Sequence, residues 1–216
     1  MQIKVVLPGT SEWDHAVRLV RYKYRRNFAA EVDPNPDAFL TCLVQEAGEY
    51  VPVACAGLTH SDNRRLFSEQ YLPEPIEVMI SRSENRPVAR SAVIEVGSLA
   101  ATRVWAGSEL VRVTPLLSWC MGKEFIMLTA TQQLRALLLK AGIPFHPLCY
   151  AEDTVLDADS RARWGNYYEQ APQTGYVSLA QTMPGFAQRT GRYRFDDIVI
   201  NLVQQQQREE ADYAVA

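Results

Sequence analysis

Apolar and polar residues follow two rhythms along this chain, and the switches between them lay out its elements. Ile3–Leu7 is a short apolar run, predicted as a strand and stopped by Pro8-Gly9. Thr10 or Ser11 then caps a helix whose first turn carries Glu12 and Asp14, both favourable at a helix N-terminus. Trp13, Val17, Val20, Tyr24 and Phe28 recur at helical spacing, with Arg18, Arg21, Arg25 and Arg26 mostly around the remainder. Asp33-Pro34-Asn35-Pro36 is a rigid break. Phe39–Gln45 and Val51–Thr59 read as a hairpin around Ala47-Gly48. His60–Arg65 is loop-like, and Leu66–Leu72 has helical spacing up to Pro73 and Pro75. Ile76–Ile80 is short and ambiguous, and Ser81–Arg90 is a polar loop.

Ala92–Ala100 is the stretch around which the rest is arranged. It is apolar on both faces except for Glu95, the pattern of a central strand buried on both sides. A helix follows from Ser108 to Met121, then a buried strand at Phe125–Ala130. Thr131 caps a helix that runs through Lys140 and ends at Gly142 and Pro144, with a strand at His146–Tyr150 after it. Strand–helix–strand–helix–strand implies a mixed sheet with helices packed on it. Trp164-Gly165-Asn166-Tyr167-Tyr168 is a compact aromatic run, Gln173–Leu179 reads as an edge strand, and Phe195–Gln207 as a helix. The expectation is one mixed α/β domain over residues 1–190, followed by a C-terminal helical extension, 191–216, with a frayed end.

Composition narrows the function classes. The chain has 216 residues, is 47% hydrophobic and carries a formal net charge of −3, enough for a full core and without a nucleic-acid footprint. Cys42, Cys55, Cys120 and Cys149 lie far apart with no CxxC spacing, as buried thiols of a reducing compartment do. The N-terminal apolar run is too short for a signal peptide, and no run approaches a membrane span. A cytoplasmic location is expected, with no metal site.

Glu95 is the leading candidate for chemistry. A carboxylate within a buried strand is costly unless it is paired, hydrogen-bonded or facing a cleft. Gly97 and Ser98 remove side-chain bulk, so the strand can bend or admit a ligand. Satisfaction of Glu95 by a neighbouring arginine is the alternative. His146 and Cys149 lack an orienting acid, so covalent catalysis is not expected.

Five segments taken together, Leu66–Leu72, Pro75-Ile76-Glu77, Ile94–Ala100, Thr129-Ala130-Thr131 with Leu134-Arg135, and Trp164–Tyr168, resemble the thermostable hemolysin family of bacterial proteins. In layout that family is similar to GNAT-type acyltransferases, and especially to acyl-homoserine-lactone synthases. Both have an Arg-rich first helix ending in Phe, matched by Phe28, and a Glu-containing central strand, matched by Glu95. Where those synthases have Arg three residues after the Glu, this chain has Ser98, and their Trp soon after the Phe is missing. Those departures count against lactone formation from S-adenosylmethionine and leave acyl transfer open.

The resemblance implies a GNAT-like fold and an N-acyltransferase. It would move a fatty or polyketide acyl group from carrier-protein or coenzyme A thioester to a small amine or amino acid, in specialised-metabolite or signal biosynthesis. No tightly bound cofactor is implied; acyl-phosphopantetheine or acyl-coenzyme A is the cosubstrate. Glu95 would be the base, with Ser98 beside it as a catalytic candidate. Arg25, Phe28, Glu69, Tyr71, Thr129, Arg135, Trp164 and Tyr168 would bind substrate, with Arg135 facing Glu95 or a substrate carboxylate. Gly97, Leu99, Arg103 and Arg112 would meet the acyl donor. Ala101–Glu109, with one glycine and an acid, is a poor pyrophosphate cradle and favours an acyl carrier protein as partner. The alternatives are a membrane-active hemolysin and a catalytically silent GNAT-like binding protein.

Overall fold

The computed structural model describes residues 1–46, 48–62, 64–188, 191 and 193. Seven strands form one mixed sheet: β1 (Gln2–Val6), β2 (Ala38–Glu46), β3 (Glu49–His60), β4 (Val93–Ala101), β5 (Phe125–Ala130), β6 (His146–Tyr150) and β7 (Gln173–Ser178). The helices are α1 (Ser11–Phe28), α2 (Ile76–Ser83), α3 (Val104–Cys120), α4 (Gln132–Ala141), α5 (Ala158–Arg163) and α6 (Leu179–Ala187). Strand order is β1-β2-β3-β4-β5-β7-β6, so β4 is central, as its two-sided apolar pattern implies.

Local signals account for most boundaries. The Thr10 hydroxyl accepts the Trp13 N–H at 3.3 Å, and Ala29 ends α1 in the left-handed region at φ 52°. Thr131 caps α4, and Gly142 closes it at φ 72°. Three expectations change. Gln173–Leu179 is not an edge: β7 lies between β5 and β6, antiparallel to both, and β6 is the edge. Gly175 permits that placement, because a Cβ there would lie 2.2 Å from the His146 carbonyl oxygen. α3 begins at Val104 rather than Ser108, with Gly107 seated against Ala101. The segment from Ile76 is helical and runs through Ser83 into the expected loop, burying Ile76 and Ile80. The helix expected at 195–207 lies outside the described residues, as does nearly all of the 191–216 extension.

One face of the sheet is covered continuously by α3, α4 and α6, through Leu110, Val113, Leu138 and Leu179. The other has two separate covers. α1 packs Trp13, Ala16, Leu19 and Val20 over Phe39, Cys55 and Ala100. The turn at Phe67–Tyr71 and α2 pack over Val93, Phe125, Met127 and Tyr176. Between those covers the sheet face is open.

Glu69 and Arg90 fix the second cover. Glu69 is 4% exposed and holds Arg90 through two bonds of 2.8 Å, while accepting N–H groups of Leu66 at 2.7 Å and Ile76 at 3.0 Å. Burial pushes its pKa up, but the Arg90 guanidinium and the two amides outweigh that and bring it down to about 2. A carboxyl whose pKa falls on folding stabilises the fold fully above its ordinary value of 4.5, and loses that contribution as pH falls toward about 2. Denaturant unfolding across that window should therefore show stability declining with acid. Glu69→Gln should flatten the decline and cost about 2–4 kcal/mol at neutral pH; an unchanged slope would show that other carboxylates carry it.

Candidate active site

The open strip of sheet is floored by small and polar side chains. Cys55, Gly57 and Thr59 alternate onto this face from β3, and Val93, Glu95 and Gly97 do so from β4. β5 contributes Thr129. Above this floor lies a cleft of about 560 Å³, walled by the Glu31–Pro36 segment, the start of the Phe67–Tyr71 turn, and Arg163, Trp164 and Tyr167.

Two irregularities of β4 open the floor. β4 pairs with β5 in parallel only from Val93 to Glu95 against Phe125–Met127. Beyond Glu95 the strands part, β5 continuing with β7 and β4 with β3. On its other side β4 carries a bulge: Cys55 faces Ala100 and Gly57 faces Gly97, so Ser98 and Leu99 stand opposite the single residue Ala56. Ser98 takes the strain at φ 50°. Gly57 lets the break segment close over the bulge, because a Cβ there would lie 3.0 Å from Pro36 and 3.3 Å from Ser98.

Glu95 is 6% exposed, lines the cleft and is in no ion pair among the described residues. Oε2 accepts the Phe67 N–H at 2.8 Å; Oε1 accepts the Ser68 N–H at 2.8 Å and the Ser68 hydroxyl at 2.5 Å. Thr129 donates to the Ser68 hydroxyl at 2.9 Å and meets the Thr174 hydroxyl at 2.7 Å. Burial raises the Glu95 pKa above the usual carboxylate value, against the opposing pull of those donors. A carboxylate with a raised pKa at the floor of a cleft is suited to accept a proton.

The structure gathers some expected site residues and disperses others. Glu95, Gly97, Ser98, Thr129 and Trp164 line the cleft. Phe28 stands just behind the wall, with ring centroids 5.6 Å from Tyr24 and 5.2 Å from Tyr167. Tyr71 and Tyr168 share a 2.6 Å hydroxyl contact beside Trp164. Arg25 is exposed and pairs with Glu31 at 3.4 Å. Glu69 is committed to Arg90. Arg135 does not reach Glu95, since its guanidinium donates to the carbonyls of Ala130 at 3.1 Å and Ala171 at 2.8 Å. Leu99 packs on the α3 side of the sheet. Arg103 pairs with Glu46 at 3.3 Å and Arg112 with Glu109 at 2.8 Å, so neither lines the cleft. Glu109 is itself 9% exposed inside α3, away from the position at which an acid would repel an anion from that helix's start.

Ser68 and the cleft lining from Tyr24, Asp33–Pro36, Arg65 and Phe67 were not foreseen. Ser68 looks in the sequence like an ordinary wet position on a short helix. The signal that marks the floor is the alternation of small or polar residues on two neighbouring strands, Gly57 and Thr59 on β3 and Glu95 and Gly97 on β4, with Thr129 on β5 beside them. Among the described residues no cluster of three or more His, Cys, Asp or Glu side chains is arranged to hold a metal ion.

Against solved structures the chain is similar to BjaI, a CoA-dependent acyl-homoserine lactone synthase with SAM and isopentyl-CoA. The TM-score is 0.55 at 14% identity, over 87% of this chain and 88% of that one. It is similar to FeeM, an N-acyl amino acid synthase from uncultured soil microbes, with TM-score 0.54 and 12% identity over 86% and 99%. It is similar to the AHL synthase LasI, with TM-score 0.53 and 8% identity over 82% and 89%. The fold is therefore GNAT-like, with the layout of acyl-homoserine-lactone synthases. No curated protein matches the chain by sequence. The family model described as Thermostable hemolysin matches residues 6–183.

The aromatic wall hangs on one glycine. Gly165 sits at φ 53°, and a Cβ there would lie 2.1 Å from the Phe28 carbonyl oxygen. Asn166 N–H donates to that oxygen at 2.8 Å, and Glu31 N–H donates to the Arg163 carbonyl at 2.6 Å. Gly165→Ala should lower stability by about 2–4 kcal/mol and alter Trp164 fluorescence. A variant with native fluorescence and unfolding midpoint would show that the wall does not depend on this contact.

Proposed function

The chain belongs to the thermostable hemolysin family, and on that premise we propose that it is an acyltransferase that joins an acyl group from a thioester to the amine of a small molecule or amino acid. The observation that carries the reading is the parting of β4 and β5 immediately after Glu95, with the bulge at Ser98 one turn of the pleat further on. β4 backbone groups on that side have no β5 partner beyond Glu95, and a pantetheine arm offers amides at the right spacing to take the place of a strand. Gly97 leaves open space where the arm would lie.

In the proposed reaction the acceptor nitrogen attacks the thioester carbonyl, forming the C–N bond. The tetrahedral intermediate collapses with cleavage of the C–S bond. Glu95 takes the proton released by the amine, directly or through a water, and hands that proton to the departing sulfur, which leaves as the thiol. A placed base of this kind contributes about 10²–10⁴-fold. Near-alignment of both reactants in one cleft supplies a further entropic share.

Donor and acceptor belong to the same proposal. Carrier-protein-bound and coenzyme A-bound thioesters share the pantetheine arm, so the β4 gap fits both; a soluble cytoplasmic setting, with the acyl carrier protein as one candidate partner, would supply either. Similarity to FeeM, an N-acyl amino acid synthase, and to BjaI, a CoA-dependent acyl-homoserine lactone synthase, favours acyl transfer to an amine without choosing the donor. A lytic role has weaker footing. α1, the helix with the clearest apolar stripe, spends Trp13, Ala16, Leu19 and Val20 on the sheet, and among the described residues no helix is long and apolar enough to cross a membrane.

Purified protein incubated with a panel of acyl-carrier and acyl-coenzyme A donors and mixed amines should give an amide product by mass spectrometry. Glu95→Gln should cut its formation by about 10²–10⁴-fold while moving the unfolding midpoint by only a few degrees, about one hydrogen bond's worth. Gly97→Val should also stop turnover, by filling the gap, without a clash in the folded chain. Equal turnover in wild type and Glu95→Gln would reject the base, and liposome leakage without any amide product would favour lysis.

A further inference from the structure

Three hydroxyls stand in line behind Glu95, and their order is fixed by elementary donor counting. Each threonine or serine hydroxyl has one hydrogen to give. Ser68 gives its own to Glu95 Oε1, and Thr129 gives its own to Ser68. The 2.7 Å contact between Thr129 and Thr174 must then be donated by Thr174, which is fully buried. All three hydrogens point toward the carboxylate. With the Ser68 N–H included, Oε1 has both acceptor positions filled, whereas Oε2 accepts only from Phe67 N–H among the described residues.

Taking Glu95 as the base of the proposed reaction, we propose that Ser68 is its positioning residue: its amide and hydroxyl, oriented by Thr129 and Thr174, occupy Oε1 and leave Oε2 as the oxygen that receives the amine proton. Ser68 does not touch the reacting atoms in this scheme. It fixes which carboxylate oxygen is available, and its two donors favour the ionised form against the cost of burial.

Other titratable groups share the turn and the cleft with Glu95, Tyr24 and Tyr167 among them. Glu69 and Tyr71 share the turn with Ser68, and Glu69 raises the Glu95 pKa. Glu31 and Asp33 on the break segment, Arg64 and Arg65 before the turn, and Arg163 from α5 line the same cleft. Ser68 and Thr129 carry no charge, so changing them leaves this field in place and isolates the hydrogen bond.

The test follows Glu95 itself. In protein carrying ¹³C-carboxyl glutamate, the Glu95 signal is assigned by its loss in Glu95→Gln and titrated by NMR. Ser68→Ala removes a donor to the charged form, so the Glu95 titration should move up by about one to two pH units. Thr129→Val leaves Ser68 in place but unpolarised and should give a smaller upward shift; Ser68→Thr should restore the wild-type curve. Where an amide product has been found, the acid limb of the kcat/KM profile should move by the same amount in Ser68→Ala and recover at high pH. A titration that stays within a few tenths of a unit in Ser68→Ala overturns the assignment, as does a rate lowered equally at every pH. Should Ser68→Ala not fold, an unmoved titration in Thr129→Val overturns it instead. The NMR shift needs no substrate, so a moved titration with no product from any donor would sink the acyltransferase reading and leave the hold of Ser68 on Glu95 standing.

Discussion

The cleft depends on a charge pair that does not line it. Arg90, just ahead of β4, spreads its guanidinium across both oxygens of Glu69, in the turn that follows β3. A further bond from Arg90 reaches Glu77 at 2.7 Å, tying in α2. Glu69 in turn accepts the amide of Leu66, just ahead of the turn, and the first amide of α2. The turn is therefore locked at both ends, and its two leading N–H groups are held where Glu95 needs them. A backbone amide is a useful partner for a buried carboxylate only when its own position is fixed. Without that lock Glu95 would sit in a low-dielectric gap with donors free to drift away.

Two glutamates that both accept amides of the Leu66–Ile76 segment thus meet opposite fates for physical reasons. Glu69 has an arginine and two amides, and its proton affinity drops. Glu95 has amides and a hydroxyl but no cation, and burial wins. One is a strut and the other a titratable group of the cleft. The sheet makes the same division: its α3–α4–α6 face is sealed with aliphatic side chains, while the other face is left bare between two covers. The covers are set apart because α1 grips β2 to β4 and α2 grips β4 to β7.

Much of this was legible. The run at 92–100 announced a central strand with one costly acid, the caps at Thr10 and Thr131 announced their helices, and the hairpin followed from alternation around Gly48. What escaped was set by contacts distant in sequence. Nothing local in Gln173–Ser178 says that β7 inserts between β5 and β6; the close approach at Gly175 becomes visible only once β6 lies alongside. Arg25 and Arg135 are near site residues in sequence, yet one pairs with Glu31 at the surface and the other is spent on two carbonyls. Asp33–Pro36 read as a break and proved to be a wall. Ser68 was hidden because one hydroxyl in an apolar stretch carries no periodic signal, although the small and polar positions alternating along β3 and β4 were there to be counted.

The three-residue seam between β4 and β5 means that the sheet is held as two panels, β1 to β4 and β5-β7-β6, stitched mainly at the floor of the cleft. Whatever lies in the parting beyond Glu95 would act as a missing rung joining the panels. Occupancy there would be felt as stiffness of the entire sheet, with the helices on its sealed side recording through their packing whether the other side is full or empty.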